Sequence, residues 1–250
     1  MSRTTTVKNF DELHFYAVGE DPTGQLFATL IVTDATTLEI REGPNYNSAA
    51  VDSLLIISEN GIAHGLENGP TLQIGSGESD TVEFSAGDRP NAAHMKTPTG
   101  GAGVYFSVTN GTAGQKFKVY TVPSYTINNE VDFIQSFDHS PPPQKRAIMQ
   151  RGEVKHRKRV FNRERSISLA FLYTNAVDGL AQFAGNPFTL IAERHDDDNG
   201  IATETTFIFG CQYEAPMPSG SIGDNDDEVK VDGSYEEWGV IADDTAESSE

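Results

Sequence analysis

Apolar and polar residues alternate over short runs along most of the chain, and that period of two is the signature of half-buried β-strands. It is clearest from Ser166 to Tyr173. There Ile167, Leu169, Phe171 and Tyr173 fall on one face and Ser166 and Ser168 on the other, with Leu172 adding apolar surface outside. Further strands are predicted over 188–193, over 203–213 with Thr205, Phe207, Phe209, Cys211 and Tyr213 on one face, and over 228–241. The last of these has Val229, Val231, Tyr235, Trp238 and Val240 as its apolar set. Gly233 is expected to mark a bulge that exchanges the faces of this strand. The punctuation between them is acidic. Asp196-Asp197-Asp198-Asn199-Gly200 is a turn in which Asn-Gly supplies positive φ. Pro216 and Pro218 end the third strand, because proline cannot donate to a ladder, and a second acidic loop runs over 220–227.

One stretch has a helical period instead. Over 175–185, Val177, Leu180, Ala181 and Ala184 form a single stripe, Asn175 can cap, and Asp178 sits near the positive end of the helix dipole. Gly185 suits a left-handed position past the end, and Pro187 forbids continuation. Gly179 costs about 1 kcal/mol against Ala, and so short a helix is stable only when its stripe packs on a sheet.

Upstream the grammar is again short strands and turns. Runs at 13–18 and 25–32, separated by Asp21-Pro22-Thr23-Gly24, read as a hairpin, and 36–41 alternates before Gly43-Pro44-Asn45. Residues 49–57 are ambiguous: Ser48 could cap a helix, whereas Leu54-Leu55-Ile56-Ile57 equally suits a buried strand. Strands follow at 71–74, 81–84, 104–108 and 116–122, with Gly-rich clusters between them. This spacing predicts a sandwich or barrel rather than βαβ units. Pro141-Pro142-Pro143 is the expected boundary. The predicted fold is therefore mainly β. A β-rich, sandwich-like region occupies 1–140, with a loose first ten residues, and a Pro-rich linker and basic loop 141–165. A β-sandwich or barrel with one short flanking helix occupies 166–242, and an acidic disordered tail 243–250.

Charge changes this picture at one place. The 250 residues carry a formal charge of −19, which favours solubility and argues against the whole molecule binding nucleic acid. Yet nine of the 18 basic residues fall in 145–165: Lys145, Arg146, Arg151, Lys155, Arg157, Lys158, Arg159, Arg163 and Arg165. Three readings stand for this segment: a solvated loop, a grip on phosphate backbone, or a contact laid on the acidic face of a neighbouring subunit. Only Phe161 is near to stack a base, and the region from Glu193 onward is rich in carboxylates. The candidate contact residues are Lys155, Arg157, Lys158, Arg159, Arg163 and Trp238. Trp238 is the only tryptophan, and it serves as core packing or as an interface anchor.

Other chemistry is sparse. Gly100-Gly101-Ala102-Gly103 leads into a strand and lacks the Lys and Ser/Thr of a phosphate loop. Asp197 and Asn199 fit calcium-loop spacing, but His195 and Thr206 stand where acidic ligands belong. The six histidines are not at zinc-ligand spacing, and no acyl-transfer serine motif is present. Cys211 reads as a buried small hydrophobe. No catalytic residue, cofactor or metal is expected, no apolar run is long enough for a membrane helix, and the N-terminus lacks a signal-peptide core.

The order of elements from Arg165 to Ala242 resembles the tail-tube family of tailed bacteriophages. So does the wording of Ala215-Pro216-Met217-Pro218-Ser219-Gly220-Ser221-Ile222-Gly223-Asp224, followed by Asp232-Gly233-Ser234-Tyr235-Glu236-Glu237-Trp238. The resemblance covers the C-terminal third. It implies a non-enzymatic structural protein of the virion, made in the host cytoplasm, that closes with its own copies into rings stacked as a tube. Its other partners would be tail or neck proteins, with nucleic acid only passing through the lumen and no membrane. Neck, head-completion and baseplate rings share the fold and are the alternative, as is a β-rich module binding carbohydrate or a cell surface through aromatics such as Tyr105, Phe117 or Tyr120.

Overall fold

A computed structural model describes residues 12–20, 25–44, 53–60, 68–75, 80–85, 87–88, 90–98, 104–131, 134–138, 145–148, 157–160, 165–171, 180, 182–183, 185–195, 202–213 and 229–242. The fold is mainly β, built from antiparallel sheets. In chain order the strands are β1 (Glu12–Gly19), β2 (Leu26–Val32), β3 (Leu38–Glu42), β4 (Leu54–Ser58), β5 (Thr71–Gln73), β6 (Thr81–Glu83), β7 (Ala93–Lys96), β8 (Ser107–Thr109) and β9 (Lys116–Thr121). They continue as β10 (Ile134–Asp138), β11 (Lys145–Ile148), β12 (Arg157–Val160), β13 (Ser166–Phe171), β14 (Phe188–His195), β15 (Ala202–Tyr213), β16 (Val229–Ser234) and β17 (Glu237–Ala242).

Strands β2 to β9 form a sandwich. A three-stranded sheet, β6-β5-β8, faces a five-stranded one, β3-β2-β9-β4-β7. Between them lies an apolar core that includes Phe27, Leu30, Leu72, Phe84 and Phe117. The five-stranded sheet is buried on its second face too. Leu55, Ile57 and Tyr120 pack there against Ile191, Phe207 and Phe209 of the second sheet system. All five residues of β4 are therefore buried, which makes residues 54–57 a strand and explains their unbroken apolar run: a strand covered on both sides has no polar face to alternate with. Each of its four apolar side chains, Leu54, Leu55, Ile56 and Ile57, contributes roughly 1.5–3 kcal/mol of burial.

The second system is a seven-stranded sheet in the order β1-β14-β15-β16-β13-β10, with β17 also paired to β15. Its far face buries Phe15, Leu190 and Ile208 against Ile167, Leu169 and Leu180. Strands from both sides of the expected boundary at 140 belong to it. β1 pairs along its whole length with β14, and β10 pairs with β13. The expected hairpin of residues 13–18 with 25–32 does not form. β2 pairs instead with β3 and β9, so β1 and β2 belong to different sheet systems. Turn grammar reports a change of direction; it cannot say whether the returning strand stays in the same sheet.

Two further expectations are corrected in this sheet. β15 does not keep one face inside. Phe207 and Phe209 lie on the side of the sandwich, whereas Cys211 and Tyr213 join Ile208 on the opposite side. The ladder to β14 slips by one residue between the Phe188 and Leu190 pairs, and Gly210 sits there with φ +66°, a conformation glycine adopts without Cβ strain. The bulge thus lies at Gly210 and not at Gly233. Gly233 holds its register in β16, and a Cβ there would come within 2.3 Å of the Gln212 carbonyl, so glycine serves close strand approach. The last strand is also two. β16 pairs with β13 and the end of β15, and after Tyr235-Glu236 the chain turns so that β17 pairs with the first part of β15.

Of the helix predicted over 175–185, only Leu180, Gln182, Phe183 and Gly185 are among the described residues. Leu180 is fully buried, Phe183 donates its N–H to the Leu180 carbonyl, and Gly185 has φ +78°. The rest of that prediction, the two acidic loops and the acidic tail lie outside the described residues.

Candidate functional sites

The basic segment forms a β-hairpin where a loop is expected. β11 and β12 pair antiparallel, with Arg146 opposite Arg159, Ala147 opposite Lys158, and Ile148 opposite Arg157. Among the described residues they pair with no other strand. Between the pairs Asp138↔Ser168 and Lys145↔Val160 the chain advances seven residues on one arm and eight on the other, a one-residue offset. In sequence the cationic hairpin lies between β10, on which the chain leaves the seven-stranded sheet, and β13, on which it returns. Arg157, Lys158 and Arg159 lie on β12; Lys155 and Arg163 fall outside the described residues.

At the root of that excursion a charged group is buried. Glu237, at the start of β17, is 1% exposed. Its Oε2 is 2.8 Å from Lys118 Nζ on β9, and its Oε1 is 2.8 Å from Arg165 Nη1, one residue before β13. Lys118 also reaches Glu59 Oε1 at 3.2 Å. Arg165 donates to the Glu236 carbonyl, and its own carbonyl accepts the Tyr235 N–H at 3.1 Å. Two cations and two carboxylates therefore neutralise one another where the sandwich meets the seven-stranded sheet. Burial alone would raise the Glu237 carboxyl, but the bonds from Arg165 and Lys118 outweigh it and hold it below the usual range. Lys118 and Arg165 are both raised: burial opposes their charge, and Glu237 more than compensates. Trp238, the next residue, pairs with Ile208 and is partly buried against the core, with its N–H 3.3 Å from Glu237 Oε1.

A second polar cluster borders edge strand β1. His14 Nδ1 lies 2.8 Å from Glu130 Oε1, and His195 Nε2 lies 2.9 Å from Glu193 Oε2. The two imidazole rings are 4.6 Å apart, and Tyr125 donates its hydroxyl to Glu193 at 2.5 Å. Burial, then the hydrogen bond to Glu193, pushes the Tyr125 hydroxyl up; burial, then the charges of Glu193 and Glu130, does the same to Tyr16. Neither phenol is therefore primed as a base. The group ties β1 to β14 and to the 3-10 turn Ile127–Asn129, whose start Thr126 caps. Searching for histidines at helical spacing cannot find this pair, because the strands that join them are 181 residues apart in sequence. No group of three or more His, Cys, Asp or Glu side chains among the described residues is arranged to hold a metal ion.

A further carboxylate, Glu20, accepts from Thr189 Oγ1 and from the Gly210 N–H, each at 2.7 Å, and so fastens the bulge of β15. Cys211 beside it is fully buried, and burial pushes its thiol up, which suits an inert core residue. The aromatics of the carbohydrate-binding alternative divide. Phe117 and Tyr120 are in the core, and Tyr105 is 64% exposed. No protein-family model matches the chain, and no curated protein matches its sequence.

Proposed function

We propose that the chain is a structural protein of a tailed-bacteriophage virion that assembles with its own copies into rings, as a tail tube does, and that the β11–β12 hairpin is the element reaching the neighbouring copy. One observation carries this reading. The hairpin concentrates positive charge on two strands that have no third partner among the described residues. A lone two-stranded hairpin is marginal in water, and like charges at opposed positions such as Arg146 and Arg159 weaken it further. The segment 144–165 has nine basic and two acidic residues, net +7, so the rest of the chain carries −26. A second copy is thus a complementary surface, and charge complementarity selects register and partner more than it adds affinity. The mainly β architecture accords with the β-sandwich or barrel that the tail-tube resemblance implies.

Negative-stain microscopy of the purified protein at low and high salt tests the reading. Rings or tubes are expected at low salt, with loss at high salt and in the triple variant R157E/K158E/R159E. Single rings that never stack would place the protein in a neck or baseplate. Uniform small particles under every condition would overturn self-assembly.

A further inference from the structure

We infer that Arg165 and the buried carboxylate of Glu237 form a latch that sets the direction of the cationic hairpin, tying the root of its returning arm to the seam between the sandwich and the seven-stranded sheet. The inference does not depend on ring formation.

The hairpin's two arms leave and re-enter the sheet at Asp138 and Ser166, and Arg165 is the last residue before re-entry. That residue is fixed at three points. Its guanidinium meets the Glu237 carboxylate and the Glu236 carbonyl, and its backbone carbonyl meets the Tyr235 N–H. These partners all lie where β16 turns into β17, a turn held from below by the Glu236 N–H bond to the Phe209 carbonyl. Glu237 is fixed in turn by Lys118 from the sandwich, so the arm's root is registered against both layers at once. A guanidinium suits this place because it can serve a carboxylate and a carbonyl together in fixed geometry. The other titratable or charged groups around the pair are Glu59, held by Lys118, the exposed Glu236, and the phenols of Tyr120 and Tyr235. Glu237 is thus the one carboxylate that both cations share. Arg165 is a positioning residue, because nothing in this arrangement requires it to touch a partner.

A purely structural clamp and a latch differ in what they protect. The hairpin is cut by trypsin wherever its Lys and Arg residues open, so the full chain reports on its own arm. In R165Q, cleavage after Arg146, Arg157, Lys158 and Arg159, read by mass spectrometry under native conditions, should rise over wild type by about twofold, the range left to a hairpin that is already marginal. Cleavage after Arg41 and Lys96 in the sandwich should stay unchanged. E237Q should reproduce the R165Q pattern, and K118M, which removes the sandwich side but leaves the arm's ion pair, should accelerate arm cleavage far less. Equal arm cleavage in wild type and R165Q would overturn the latch. So would K118M matching R165Q, or R165Q opening the sandwich sites as well, since the cluster would then merely support the fold. If E237Q does not fold, R165Q and K118M still decide, because Glu237 keeps one cation in each.

Discussion

The sandwich of β2 to β9 and the seven-stranded sheet are made by different means. The sandwich is drawn from one continuous stretch, residues 26–121, and packs around one apolar cluster, with Ser58, Asp80 and Gln115 as the buried polar side chains of that stretch among the described residues. The seven-stranded sheet gathers strands from residue 12 to residue 242, and the shared carboxylate Glu237, the bulge anchor Glu20 and the His–Glu cluster all belong to it or to its border. A contiguous region meets itself by local turns. A sheet assembled from both ends of the chain must also specify which distant strands meet, and buried polar groups that are satisfied in only one arrangement give that specificity.

Removing β1 should break the comparison most. A chain beginning at residue 21 loses the ladder to β14 and the buried Phe15 and Ala17, a loss beyond about 5 kcal/mol when one buried Phe alone is worth about 3–5. Hydrogen exchange should then show β13 to β17 unprotected while β2, β4 and β9 keep their protection. Uniform loss of protection would mean that the sandwich leans on the sheet as much as the sheet leans on β1.

Next in size is Glu237→Ala, which leaves Lys118 and Arg165 facing each other without the shared carboxylate and should cost about 3–5 kcal/mol in urea unfolding. Its pH dependence follows from the lowered carboxyl. The folded state holds Glu237 ionised below the ordinary value of about 4.3, so its stabilisation is present above that pH and is lost as pH falls through the folded value. Wild type should lose stability steeply across that acid window, and Glu237→Gln should flatten the loss. A parallel acid profile in the variant would show that Glu237 is not the group responsible.

Most strands are legible from period two and from turn residues, as is the burial of Cys211 and Leu180, but β7, β10 and the basic hairpin β11–β12 are not. The partners of the strands are not legible either. Nothing in the alternation of residues 13–18 distinguishes pairing with the next strand from pairing with residues 188–195, because the period fixes faces and not neighbours. β15 shows a second limit. A glycine inside an apolar alternation is compatible with an ordinary strand, and only the ladder slip at Gly210 reveals that Phe209 and Cys211 face opposite ways. Arg165 was visible as one basic residue among nine, but its role depends on Glu237 and Lys118, which sequence distance conceals. Gly210→Ala tests the second limit. Positive φ and a Cβ 2.4 Å from the Glu236 side chain should together cost about 1–3 kcal/mol, less than Glu237→Ala because that side chain is exposed and can yield.

The smallest effect should come from Glu20, and it sharpens the comparison because its sign is opposite to that of Glu237. Burial raises the Glu20 carboxyl, the bonds from Gly210 and Thr189 only partly offset this, and the charge of Glu236 adds to the rise. No cation is among these influences. A raised carboxyl contributes stability that is present below its unfolded value of about 4.3 and lost as pH rises through the folded one. Glu20→Gln keeps an oxygen to accept the Gly210 N–H and removes the charge. At pH 7 it should therefore be neutral or stabilising, within about 1 kcal/mol, while Glu237→Gln is destabilising. Toward pH 4 the gain from Glu20→Gln should vanish as the wild-type carboxyl protonates, whereas the cost of Glu237→Gln should persist to about pH 4.3 and shrink only below it, as pH falls through the lowered folded value. Thermal melts of the two single variants from about pH 2 to pH 7 would then diverge in opposite directions from wild type as pH rises, Glu237→Gln below about pH 4.3 and Glu20→Gln above it. Curves that diverge in the same direction would mean that Glu20 has a cationic partner in solution and that the sheet anchors its bulge as it anchors its seam, by ion pairing.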